Sequence, residues 1–230
     1  MSPKQDKGDA HAIFSAGSLA DVPDSRPAAT SVPIHPDLAA RWSPRAFDPE
    51  AAITADQLTA LLEAARWAAS WGHRQPVRFV VGTRHGAESA PHVRGETFTT
   101  LAGLLKRGNS YANAASALVL VCTDEGEDER TALYAAVDAG AAIAQLTVEA
   151  VSRGLVVHPM AGFDVDGARA AFGIPEGVRP LAVVAVGTLG EPADEAIAER
   201  DSRPRERLPL EQIAFGGSWG MPLPSPESHL

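Results

Sequence analysis

The segment from Arg130 to Arg153 reads as one long helix that is apolar on nearly every side, with Gly154 at its C-terminal boundary. A helix with one apolar stripe can lie on a surface, but one that is apolar all round has to be enclosed. Its small residues, Ala135, Ala136, Ala139, Gly140, Ala141, Ala142 and Ala144, allow backbones to approach closely. That suits a central helix or a helix–helix dimer interface, and a core helix within a monomer is the plainer alternative.

The rest of the chain interleaves helices and strands. Thr54 can cap a helix while Gln57 reaches back in capping-box spacing, and Leu58, Leu61, Leu62 and Ala65 then share a face. Arg78 to Gly82 has the β-branched and aromatic content of a strand. Phe98, Leu101, Leu104 and Leu105 space a helix from Gly95 to Lys106. Ala117 to Cys122 is a continuous apolar strand suited to a sheet covered on both faces. Leu155 to Val157 and Leu181 to Val186 read as strands, separated by a helix capped by Asp164 and stopped at Gly173. Residues 1–35 lack a sustained period and read as a tail, and the prolines and glycines beyond Gly190 predict an extended C-terminal arm.

A chain of 230 residues supports one sizeable core, and its net charge of -9 repels phosphate polymers and anionic lipid. No nucleic-acid or membrane partner is expected. The most apolar continuous stretch, Ala114 to Cys122, is less than half of the roughly 20 residues that span a bilayer. The first twenty residues lack the apolar region of a secretion signal, so the expected location is cytoplasmic. Cys122 reads as a buried, unreactive thiol. One cysteine, and no histidine pair at helical i, i+3 or i+4 spacing, predict no metal site.

Four segments carry candidate chemistry. Arg41, Ser43 and Arg45 set two guanidinium groups around a hydroxyl, a pattern that matches phosphate oxygens. Arg203, Arg205 and Arg207 alternate in a segment that Pro204 and Pro209 hold extended. Ser70, His73, Arg74 and Gln75 crowd one helix-to-strand connection. His158 to Asp164 joins a strand end, a proline and a glycine, which could bring backbone groups close to a flat ligand. Taken singly, each could equally be a solvated surface.

In order along the chain these segments resemble the FMN-dependent nitroreductase family. The resemblance rests on Arg-x-Ser-x-Arg-x-Phe at Arg41 to Phe47, Ala-x-Ser…Gln-Pro at Ala68 to Pro76 and the Gly-Asn element ending at Asn109. It continues through the long helix with Asp138, Gly-Leu…Pro-Met-x-Gly-Phe-Asp at Gly154 to Asp164, and Arg-x-Arg-Leu-Pro-Leu-Glu at Arg205 to Glu211. It covers about residues 35 to 215.

The resemblance implies an α+β, three-layer fold with a mostly antiparallel central sheet wrapped by helices. It divides the chain into a flexible tail over 1–35, an FMN-binding domain over 36–215 and an extended arm over 216–230. It also implies a homodimer holding two FMN molecules. NADH or NADPH would be the electron donor, and a nitroaromatic, quinone or related conjugated compound the acceptor, with hydride carried by flavin N5 and no catalytic side chain required.

Carried over by position, the resemblance makes Arg41, Ser43, Arg205 and Arg207 the ribityl phosphate and ribityl contacts, and puts Arg45 and Asn109 at the pyrimidine edge. Pro159, Met160, Ala161 and Gly162 line the ring, while Ser70, His73 and Gln75 belong to the loop offered to the other subunit. Trp71, His73 and Ala112 depart from the family's usual residues. Trp71 and Ala112 are expected beside the substrate, with Trp71 narrowing the pocket toward flat aromatic acceptors. Alternative readings are a relative with oxygen-dependent or dehalogenating flavin chemistry, or a non-catalytic flavin-binding dimer.

Overall fold

A computed structural model describes residues 26–85 and 95–223. Four strands, β1 (Val77–Thr83), β2 (Ala117–Asp124), β3 (Val156–Met160) and β4 (Val178–Gly187), form one sheet in the order β1-β2-β4-β3, every neighbouring pair antiparallel. The α-helices are α1 (Pro36–Ala40), α2 (Ala55–Arg66), α3 (Gly95–Leu104), α4 (Glu129–Ser152), α5 (Val165–Phe172) and α6 (Glu195–Ser202).

The apolar run of β2 explains the layering. Its side chains alternate between faces, so Ala117, Val119 and Val121 pack with Leu61 and Ala65 of α2 and with Ala139, Ala142 and Leu146 of α4. Leu118, Leu120 and Cys122 point the other way, into a cluster with Phe98 and Leu101 of α3 and Ala168 of α5. The result is helix, sheet, helix, as expected. Burial pushes the Cys122 thiol up to about 11, which keeps it protonated and unreactive.

Local signals set the boundaries. The Thr54–Gln57 capping box is formed in both directions, Asp164 accepts the Gly167 N–H at the start of α5, and Gly173 ends α5 with φ of 60°. At Gly82 the α3 backbone lies directly on β1, and a Cβ there would stand 2.4 Å from the Phe98 nitrogen. Gly82→Ala is therefore expected to push α3 off the sheet and cost about 1–3 kcal/mol, read as a lower unfolding midpoint. An unchanged midpoint would contradict this packing.

Several expectations are corrected. Leu133 and Val137 of α4 are 64% and 61% exposed, so α4 is not enclosed within one protomer. By length and composition α4 would also suffice to cross a membrane, a property that a search for unbroken apolar runs overlooks. Here its inner face, from Ala135 through Leu146 to Ala150, packs in the core. The strand expected at Leu155 to Val157 continues through Pro159, which sits on an edge strand where a missing N–H is tolerated.

The arm expected beyond Gly190 begins with α6, whose Asp194 cap accepts the Ile197 N–H. Glu, Ala and Arg give α6 helix propensity without an apolar period that would have revealed it. Of the expected tail, 26–35 is described: the Arg26 guanidinium donates to the Asp201 and Arg203 carbonyls and lies 5.0 Å from the Trp42 ring centroid. Residues 1–25 of the tail and 224–230 of the arm lie outside the described residues.

Candidate functional site

Three groups of side chains make up the candidate site. In the first, the extended chain after α1 carries Arg41, and the segment leaving α6 returns Arg205 and Arg207 beside it. Arg41 Nη1 donates to Ser43 Oγ at 3.3 Å. The Arg205 guanidinium donates to the carbonyls of Arg41 at 2.6 Å, of Ala39 at 3.2 Å and of Arg26. Burial and then the charge of Arg207 lower the pKa of Arg41. Burial and then Arg41, Arg207 and Arg26 lower that of Arg205. None of these four arginines has an ion-pair partner among the described residues. Like charges gathered without a counter-charge form an anion seat.

The second group surrounds Arg45. Its backbone N–H and its Nη1 donate to the carboxylate of buried Asp201, at 2.6 and 3.1 Å, and its guanidinium lies 5.9 Å from the Tyr111 ring centroid. Tyr111 packs at 51° against His158, whose Nδ1 is 2.8 Å from the Pro44 carbonyl. A carbonyl only accepts, so Nδ1 carries the proton. Burial lowers the His158 pKa and pushes the Tyr111 hydroxyl up to about 12, which keeps both rings neutral near pH 7.

Asn109 Nδ2 donates to the Gly162 carbonyl at 2.9 Å, and a Cβ on Gly162 would stand 2.6 Å from that nitrogen. A side chain at this position would push the Asn109 amide out of that hydrogen bond. Pro159 and Ala161 are exposed beside it, whereas Met160 is buried in the core cluster.

The third group is the connection between α2 and β1. Ser70 Oγ accepts the Gln75 N–H at 3.1 Å, and the Gln75 and His73 side chains meet at 3.2 Å. Gly72, His73 and Gln75 have φ of 58°, 56° and 51°, left-handed backbone that costs energy at the two non-glycine positions, while Arg74 between them is right-handed. The Trp71 N–H is shared by both oxygens of the Asp138 carboxylate at 3.1 Å, which ties the loop to α4. The Trp71 ring stacks on Tyr134 at 4.9 Å. A cleft of about 580 Å³ between α2 and β1 is lined by Leu62, Ala65, Ser70, Gln75, Phe79 and Asp138.

Arg41, Ser43, Arg205 and Arg207 thus come together, as do Asn109 and Gly162, and the Ser70–Gln75 loop stands as a separate group. Ala112 has no exposed surface and packs beside Phe47 and Phe98, so it offers no wall to a ligand in this arrangement. Arg26, Tyr111 and Asp201 were missed. Arg26 lies in a segment without periodicity, and nothing local marks Asp201 as the partner of a residue 156 positions away.

Residues 38–188 match the Nitroreductase family. The chain is 74% identical, over 149 residues, to a 15.4 kDa protein of the ask 5′ region of Mycolicibacterium smegmatis; the match spans 64% of this chain and all of that protein. A crystal structure of an oxidoreductase containing FMN is similar at 31% identity, with a TM-score of 0.75, over 87% of this chain and 100% of that one. A structure from Exiguobacterium sibiricum in complex with FMN shares the fold at 22% identity and a TM-score of 0.63, over 78% of this chain and 95% of that one. A match that extends over more than half of the chain means that the chain belongs to the Nitroreductase family.

Proposed function

We propose that this protein is an FMN-dependent homodimeric oxidoreductase that takes hydride from NADH or NADPH and passes electrons to a nitroaromatic, quinone or related conjugated acceptor. The observation that carries the reading is the seat of Arg26, Arg41, Arg205 and Arg207, four guanidinium groups with no ion-pair partner among the described residues. A ribityl phosphate supplies the missing counter-charge, and Ser43 adds a hydroxyl donor. The 31% identical structure that contains FMN supports the same cofactor.

When bound, the flavin supplies the hydride chemistry. Arg45 and Asn109 are then the donors for the pyrimidine edge. Asp201 fixes the direction of Arg45 and offsets part of its charge. Pro159, Ala161 and Gly162 present exposed or half-buried surface to the ring. The exposed Leu133 and Val137 on α4 support a dimer in which the Ser70–Gln75 loop serves the partner's cofactor.

The test is the anaerobic visible spectrum of purified protein before and after NADPH, with NADH in parallel. A yellow protein bleached by either donor is the expected result. A yellow protein bleached by neither would favour the oxygen-linked or flavin-holding alternatives. Protein that stays colourless after FMN is added would overturn the cofactor reading.

A further inference from the structure

Three side chains gather on the half-buried Trp71 ring. Tyr134 lies against one face at 4.9 Å and 16°, and the guanidinium groups of Arg74 and Arg130 approach the same indole, at 5.2 and 6.0 Å from its centroid. Arg74 comes from the strained loop and Arg130 from the first turn of α4. The Trp71 N–H on Asp138 locks the two elements together.

Both guanidinium groups are exposed, and neither has an ion-pair partner among the described residues. Hydrogen bonds from Thr131 first, and more weakly the charge of Arg74, hold the neighbouring Asp128 carboxyl below its ordinary pKa, so Arg74 has one carboxylate nearby although the two form no ion pair. The Asp128 carboxylate accepts the Thr131 N–H at 2.9 Å and the Thr131 hydroxyl at 2.7 Å as the cap of α4. A guanidinium resting on an indole is partly desolvated and held in plane, and its edge N–H groups stay available for a bidentate anion.

We infer that Arg74 and Arg130, mounted on Trp71, form a second anion seat that holds an anionic oxygen group on the electron donor or acceptor, separate from the Arg41–Arg205 seat. The inference rests on the proposed function for its place beside the flavin of the partner subunit. The ligand chemistry is a phosphate or carboxylate carried on a nucleotide or a planar aromatic. Its two sources are the 2′-phosphate of NADPH and the acid group of an aromatic acceptor. In a chain of net charge -9, two guanidinium groups on one ring, neither in an ion pair among the described residues, would select such ligands over neutral ones.

The experiment titrates two ligand pairs calorimetrically into wild-type protein, Arg74→Gln/Arg130→Gln and Trp71→Ala. One pair is 2′,5′-ADP against 5′-AMP, and the other is 4-nitrobenzoate against 4-nitrobenzyl alcohol. Loss of two charge-assisted hydrogen bonds predicts that the preference for the anionic member falls about tenfold or more in the double variant. Trp71→Ala keeps both charges but removes their mount, and gives a smaller fall. Loss of preference in the nucleotide pair identifies the donor phosphate, and loss in the aromatic pair identifies the acceptor.

Equal preferences in wild type and double variant for both pairs would overturn the inference. Flavin content, read by absorbance on the same samples, reports separately on the cofactor reading. The titrations decide the anion seat even on protein that takes no FMN.

Discussion

Arg205→Met is expected to give folded protein that is colourless as isolated, with FMN affinity lowered by a hundredfold or more. Arg205 has two tasks. Its guanidinium holds the carbonyls of Arg26, Ala39 and Arg41, and so fixes the strand of chain that carries Arg41 and Ser43. It also adds positive charge to a seat already crowded by Arg41, Arg207 and Arg26. Removing one partner of a hydrogen-bonded charge pair costs roughly 2–5 kcal/mol, or about one and a half to nearly four decades of affinity. The disturbed Arg41 backbone adds to the loss.

Arg205→Lys should fall between the two, because an ammonium keeps the charge but cannot span three carbonyls as a planar fork does. Arg203 provides the control. It pairs with Glu199 at 3.1 Å on the exposed side of α6, where such a pair contributes little, and Arg203→Met should keep its colour. The measurement is FMN titration by quenching of flavin fluorescence. Wild-type affinity in Arg205→Met would move the phosphate away from this seat.

How much of this was legible in the sequence depended on range. The Thr54–Gln57 capping box, the Asp164 cap and the Gly173 stop are set within a few residues, so they read directly. The double-sided burial of β2 was visible because every position from Ala117 to Cys122 is apolar. The arginine seat was legible only as two separate motifs, since its convergence depends on α6 turning the chain back toward α1, and α6 has no apolar face to announce it.

Asp201 shows the limit most clearly. An acidic residue at the end of a charged helix resembles its neighbours until the fold brings it 3.1 Å from Arg45. Trp71 shows another. Its identity was read as a pocket wall, but Tyr134, Arg74 and Arg130 decide what the ring can touch, and they come from two elements.

Leu133→Asp combined with Val137→Asp is expected to convert the proposed dimer into monomer and to release the flavin with it. The two residues stand one turn apart on α4 and are 64% and 61% exposed in a single protomer, while Ala135, Ala139 and Ala142 on the opposite side are fully packed. The carboxylates would therefore enter no core, and the fold should survive. At a twofold interface each substitution occurs twice, so four apolar side chains are lost. Burying a Leu or Val contributes about 1.5–3 kcal/mol, and a carboxylate in its place adds a desolvation cost.

The exposed Gly140 and Ala144 extend the same face with side chains small enough for close backbone contact. If the Ser70–Gln75 loop serves the partner's cofactor, separation of the subunits removes that contact from each FMN, and mass and colour should fall together. Sedimentation velocity with detection at a protein and a flavin wavelength reads both at once. A variant that sediments as monomer and keeps its FMN would confine the cofactor site to one protomer. A wild-type protein that is itself monomeric would leave the exposed face of α4 unexplained and remove the dimer from the proposed function.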